Sequence, residues 1–152
     1  MKLAEALQER ADLNRSISDL QDRLERVVLV QEGEAPVEDP QKLLRELNES
    51  VERLEYLMAA INHTNDQTAV NGLSLTRLIA KKDALTRKMN VYRICASEAG
   101  MNTNRARGTE IKVVPTLKAA ELQKEIDRMA REIRLLDNTL QETNWTRDLI
   151  EE

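Results

Sequence analysis

Apolar residues recur at alternating steps of three and four residues along most of the chain, which is the spacing of a heptad seam. A first such segment spans about residues 2–27, a second begins at Pro40, and a third spans about 74–99. A fourth carries its seam from Leu122 to Leu140 and runs to about Leu149. The pattern predicts four long helices.

The ends of these segments carry recognisable start and stop residues. Asp39 is a good N-cap with Pro40 at the first helical position, where its missing N–H is not needed. Polar residues from 62 to 68 predict the end of the second helix, and Asn71-Gly72 predicts a turn. Ser74 and Gly100 suit the start and stop of the third helix.

Two short β-branched runs, Val27–Val30 and Ile111–Val114, lie in connections between helices. Such runs favour extended backbone, and we expect them to pair with each other or with copies in another subunit. The predicted fold class is mainly α. Two antiparallel coiled-coil hairpins form a four-helix bundle, with a short β-ribbon at the tip.

The two halves of the chain resemble each other. An offset of 72 residues maps the first seam onto the third and places Arg10 on Lys82, while an offset of 79 places Asn65 on Asn144. Apolar matches follow from any heptad pattern, but these polar matches do not. We therefore predict one helical domain, residues 1–152, with an internal duplication of 1–70 and 71–152.

Composition supports long aliphatic helices. Charged residues make up 33% of the chain and aromatic residues 2%, with no Phe. The net charge of −4, with both signs interspersed, argues against a general nucleic-acid or anionic-membrane binder. No stretch has the roughly 18 apolar residues of a membrane span and no signal peptide is recognised, so we expect a cytoplasmic protein.

The sequence contains no recognisable catalytic constellation. It has no Gly-rich phosphate loop and no nucleophile elbow, and His63 and Cys95 are its only histidine and cysteine. We expect no enzymatic activity, no metal and no cofactor.

Arg10 and Lys82 occupy seam positions where leucine is expected. They could snorkel from the bundle with their charged groups in water, form a buried polar layer with Asn65 and Asn144, or bind a ligand as a cation pair. We predict that Arg10 and Lys82 are structurally equivalent, each touching a carboxylate or an asparagine. The two asparagines also suit helix ends, or a polar pocket near Trp145.

Two further groups suggest partners. Arg105, Arg107 and Lys112 form a basic cluster near the predicted tip, either solvated or in contact with phosphate or nucleic acid. Apolar residues point in nearly all directions around the third helix, which predicts a homo-oligomer. The expected interface residues are Val91, Ile94 and Cys95.

Short phrases in the helix ends and loops carry a family resemblance. They include Val30-Gln31-Glu32-Gly33-Glu34, Glu38-Asp39-Pro40, Ile61-Asn62-x-Thr64-Asn65 and Gln141-Glu142-x-Asn144-Trp145. Together these phrases resemble the septicolysin-like family of small bacterial proteins over nearly the full length. The resemblance implies no catalytic residues, and the toxin suggested by the family name has no counterpart in this sequence.

The function predicted from the sequence is a non-enzymatic, self-assembling coiled-coil structural or interaction protein. The alternative is a nucleic-acid-binding helical hairpin that uses the basic tip. A membrane-active protein is the weakest interpretation.

Overall fold

The computed structural model describes residues 1–101 and 110–151. The described chain is mainly helical, with one small antiparallel β-hairpin. Its elements are α1 (Leu3–Val27), α2 (Pro40–Gln67), β1 (Ala69–Val70), β2 (Leu73–Ser74), α3 (Leu75–Ala99) and α4 (Ala119–Thr146). Within residues 1–101 and 110–151, no helix contains an apolar stretch of the length and hydropathy that a membrane span requires.

The chain divides into two compact units. The first contains Met1–Ser74 and Glu142–Glu152, and the second contains Leu75–Gln141. In the first unit Leu20 and Val27, near the end of α1, form a buried cluster with Leu43, near the start of α2. This contact shows that α1 and α2 pack antiparallel. Leu24 and Leu47 pack against this cluster.

In the second unit, α3 packs on α4. Met89 forms a buried cluster with Ile126 and Met129, and half-buried aliphatic and aromatic side chains surround it. Lys82 near the start of α3 contacts Asp137 late in α4, so this helix pair is also antiparallel. Each unit therefore contains one antiparallel helix pair.

Local signals placed several helix boundaries correctly. The Asp39 carboxylate accepts a hydrogen bond from the Gln41 backbone N–H at 2.9 Å, and Pro40 follows it at the first helical position. Asn71 and Gly72 have φ of 53° and 81°. Two successive positive φ values are the requirement of a type I′ turn, and this turn joins β1 to β2.

The predicted location of the β-ribbon was wrong. Val28 continues the helical backbone with φ −69° and ψ −22°, and residues 28–30 form no strand. Among the described residues the only two-stranded sheet pairs Ala69–Val70 with Leu73–Ser74. Residues 111–114 also lie outside it. β-branched composition favours extended backbone, but a tight turn that aligns two strands decides which residues pair.

The end of α2 lies within the polar stretch 62–68, as predicted, but near the last residue of that stretch. The helix continues through the polar stretch to Gln67 because Ile61, Thr64 and Thr68 repeat at helical spacing and are buried. Burial on that side outweighs the weak helix propensity of the neighbouring polar residues. The last helix, α4, ends at Thr146, three residues before the predicted end near Leu149.

The two ends of the chain meet in the first unit. Leu3 N–H donates to the Arg147 carbonyl at 2.9 Å, and Leu149 N–H donates to the Met1 carbonyl at 2.9 Å. The Lys2 ammonium lies 2.8 Å from the Asp148 carboxylate. Leu3 and Leu149 are buried at this junction. We call these contacts the terminal clamp.

Thr64 adds a side-chain contact to the terminal clamp. Its hydroxyl donates to the Ala60 carbonyl at 2.7 Å and accepts from the Ile150 N–H at 2.9 Å. Thr64 is fully buried, so both bonds satisfy groups that water does not reach easily. The hydroxyl thereby ties the C-terminal segment to α2.

We predict that Thr64→Val lowers the free energy of unfolding by about 1–3 kcal/mol, because it leaves the Ile150 N–H without its acceptor. Amide exchange at Ile150 should also accelerate. The control is Thr146→Val, whose hydroxyl donates only to carbonyls of its own helix. Equal losses in the two variants, measured by denaturant unfolding, would show that the Ile150 contact contributes nothing.

Candidate interaction surfaces

The structure places the four predicted polar-layer residues at half-buried positions: Arg10, Lys82, Asn65 and Asn144. The Lys82 ammonium lies 2.5 Å from the Asp137 carboxylate. The Arg10 guanidinium makes no ion pair with any residue in the described ranges, and the adjacent Glu9 pairs with Arg53 instead. Arg10 and Lys82 thus share a degree of burial but not a type of partner.

The buried polar residues are threonines rather than the predicted asparagines. Thr64, Thr68 and Thr143 are each less than a tenth exposed. A threonine hydroxyl can bond to the carbonyl one turn earlier in its own helix, so it enters a core at lower cost than an asparagine amide. Thr64 and Thr143 match under the offset of 79, so the shared buried polar position lies one residue before the asparagine pair.

One interhelical ion pair recurs in both units with its charges exchanged. In the first unit the Arg53 guanidinium bonds to Glu9 at 2.7 and 2.9 Å. In the second, Lys81 lies 3.3 Å from Glu132. The offset of 72 takes residue 9 to 81, and the offset of 79 takes residue 53 to 132. The internal duplication stays a prediction, and this pair supports it.

Hydrogen-bonded ion pairs shift three carboxyl pKa values in the first unit. The hydrogen bond from Arg53 lowers the pKa of Glu9, and the hydrogen bond from Arg23 lowers that of Glu38. Lys2 lowers the pKa of Asp148 in the terminal clamp in the same way. The Arg53 and Arg23 guanidinium pKa values are raised by the same bonds.

Within residues 1–101 and 110–151, no group of three or more His, Cys, Asp and Glu side chains could hold a metal ion. Cys95 is a half-buried free thiol, and Trp145 is about half exposed. Of the predicted basic cluster, Lys112 is exposed, whereas Arg105 and Arg107 lie outside the described residues.

The first unit carries an apolar groove of about 530 Å³ between α1 and α2. Ile17, Leu24 and Leu47 form its half-buried floor, and Val28 and Leu44 are exposed along it. The Gln21 amide donates to the Glu25 carboxylate at 3.0 Å along the α1 side. We call this the α1–α2 groove.

The second unit carries a groove of about 500 Å³ at the matching position. Under the same two offsets, six of its lining residues correspond to residues of the α1–α2 groove. Its lining is different in chemistry: Arg93 stands where the first unit has Gln21, Ala96 where it has Leu24, and Gln123 where it has Leu44. We call it the α3–α4 groove.

The predicted interface residues on α3 are partly exposed. Val91 is 58% and Ile94 66% exposed, while Cys95 is half-buried. Met89 and Tyr92 point into the core of the second unit instead. The exposed basic residues Arg87 and Lys88 lie one turn before Val91 on α3. We call the surface around Val91 and Ile94 the α3 ridge.

The two units have opposite net charge. The first contains 19 Asp and Glu against nine Lys and Arg, which gives −10. The second contains eight acidic and 14 basic residues, which gives +6, and the two sum to the −4 of the whole chain. This segregation was readable in the sequence by counting each half separately, and the average over the chain concealed it.

Comparisons with known proteins find relatives but no function. Residues 10–149 match the model of DUF6847, a family of unknown function. A crystal structure of a functionally unknown conserved protein from Corynebacterium diphtheriae shares 38% identity, covers 99% of both chains and superposes with a TM-score of 0.92. No functionally curated protein matches. The septicolysin-like resemblance stays a prediction.

We predict that Glu9→Gln weakens the loss of stability in acid. Because the pKa of Glu9 is lower in the folded chain, its stabilising contribution is present above the ordinary value of about 4.3. That contribution is lost as the pH falls through the lowered value. The difference in unfolding free energy between wild type and variant should therefore shrink as the pH falls from about 5 through the lowered pKa of Glu9.

The matched control for this pH series is Glu49→Gln, which removes an exposed carboxylate from the helix that carries Arg53. Urea unfolding at each pH gives the comparison. A Glu9→Gln difference that stays constant or grows in acid would contradict the assigned direction of the pKa shift.

Proposed function

The chain belongs to DUF6847, a family of unknown function, and we propose that it acts as a self-associating helical structural or interaction protein without catalytic activity. The observation that carries the proposal is the α3 ridge, where Val91 and Ile94 present two large apolar side chains to solvent. We further propose a cytoplasmic location and coiled-coil packing of the helices.

Exposed apolar side chains are common singly, but contiguous ones mark contact surfaces. Val91 and Ile94 are three residues apart, so they are neighbours on one side of α3. The first unit also exposes Leu44, Val51 and Met58, which repeat every seven residues along α2. An exposed apolar repeat of seven residues along a helix is the pattern of a helix-to-helix interface.

We predict that Val91→Glu with Ile94→Glu converts the wild-type oligomer into a species of 17.4 kDa, the mass of one chain. Two carboxylates would have to be desolvated in the interface, which is strongly unfavourable. Analytical ultracentrifugation at micromolar concentration measures the mass. Both positions are exposed, so helix content by circular dichroism should not change.

The control for this variant is Asn138→Glu with Gln141→Glu, which adds the same charge to exposed positions of α4 in the same unit, away from the α3 ridge. It should associate like the wild type. A wild-type chain that stays at 17.4 kDa throughout the micromolar range would contradict the proposed function.

The charge of the second unit favours one alternative, a nucleic-acid partner. A net charge of +6 on Leu75–Gln141, with Lys112 exposed, would attract phosphates. In that case the purified protein should carry nucleic acid, seen as a high ratio of absorbance at 260 to 280 nm that falls in high salt. Lys112→Glu should lower the affinity for RNA and should also reduce the dependence of that affinity on salt concentration. Lys42→Glu in the first unit should change neither quantity.

A further inference from the structure

We infer that the α1–α2 groove of one copy receives the α3 ridge of a second copy. The inference rests on the proposed function and adds which two surfaces meet. Three observations lead to it: the divergent chemistry of the two grooves, the divergent chemistry of the matching ridges, and the opposite charge of the two units.

The two grooves occupy matching positions but differ in what they can receive. The α1–α2 groove has leucines at positions 24 and 44, and the α3–α4 groove has Ala96 and Gln123 there. Arg93 adds a charge to the second groove. An apolar side chain from a partner would therefore be better accommodated by the first unit than by the second.

On the exposed surfaces of α1 and α3 the second unit is the more apolar one, whereas in the grooves it is the first unit. Under the offset of 72, Val91 and Ile94 of the α3 ridge match Asp19 and Asp22 on α1, which are exposed. Each copy thus has one apolar groove and one apolar ridge, and they lie on different units. When two copies of the chain associate, the groove of one copy can form a head-to-tail contact with the ridge of the other.

The charges of the two units favour a second copy of the chain as the occupant of the α1–α2 groove. The groove belongs to the unit of charge −10 and has Glu25 in its lining, while the ridge belongs to the unit of charge +6 and has Arg87 and Lys88 beside it. Groove-to-groove or ridge-to-ridge contact would bring like-charged units together. Groove-to-ridge contact brings opposite charges together, which favours this pairing and speeds encounter.

The test uses two variants with damaged surfaces and mixes them. Val28→Glu with Leu44→Glu damages the groove, and Val91→Glu with Ile94→Glu damages the ridge. All four positions are exposed, so the helices should form in both variants. Val37→Glu, at a position 97% exposed in the connection before α2, is the control for the groove variant.

Each damaged variant alone should sediment at 17.4 kDa. In the mixture, the intact groove of the ridge variant meets the intact ridge of the groove variant, so complexes of about twice that mass should return. Higher salt should weaken the wild-type complex.

Other outcomes separate the two claims. If the groove variant associates like the wild type, or if the mixture stays monomeric, the groove-to-ridge contact is overturned while self-association stands. If the wild type itself is monomeric, as it would be when another protein fills the groove, both the contact and the proposed function are overturned.

Discussion

A pair of helices buries only the stripe along which the two helices meet, and the rest of this structure follows from that constraint. In the first unit the stripe holds Leu20, Val27 and Leu43, and in the second it holds Met89, Ile126 and Met129. Many apolar residues outside these stripes, Val91 and Ile94 among them, are exposed on the surface of their unit. The chain has no Phe to enlarge its cores, so aliphatic side chains provide nearly all of the apolar contact.

The sequence was most informative where structure is local. Asp39 and Pro40 fixed the start of α2, and Asn71-Gly72 fixed a turn whose positive φ values few other residue pairs adopt. The heptad pattern predicted the positions of the four helices to within a few residues, because residues three and four apart lie on the same side of a helix and are buried together.

Features that depend on distant residues could not be read in this way. The terminal clamp joins Lys2 to Asp148, and no local pattern signals a pairing across such a separation. The β-branched run at residues 28–30 favoured a strand locally but found no strand partner, whereas the short strands beside Asn71-Gly72 pair because their turn aligns them. The threonines buried beside the predicted asparagines depended on tertiary contacts too, as Thr64 bonds to the distant Ile150 N–H.

The α1–α2 groove and the α3 ridge matter because each differs in apolar character from the matching surface of the other unit.

Cross-linking with a carbodiimide, which couples carboxylates to lysines at zero length, tests the proposed groove-to-ridge contact most directly. In a mixture of ¹⁵N-labelled and unlabelled chains, we predict mixed-isotope cross-links from Glu25, in the groove lining, to Lys88 beside the α3 ridge. Inter-copy cross-links confined to carboxylates and lysines of the same unit, or their complete absence, would contradict it.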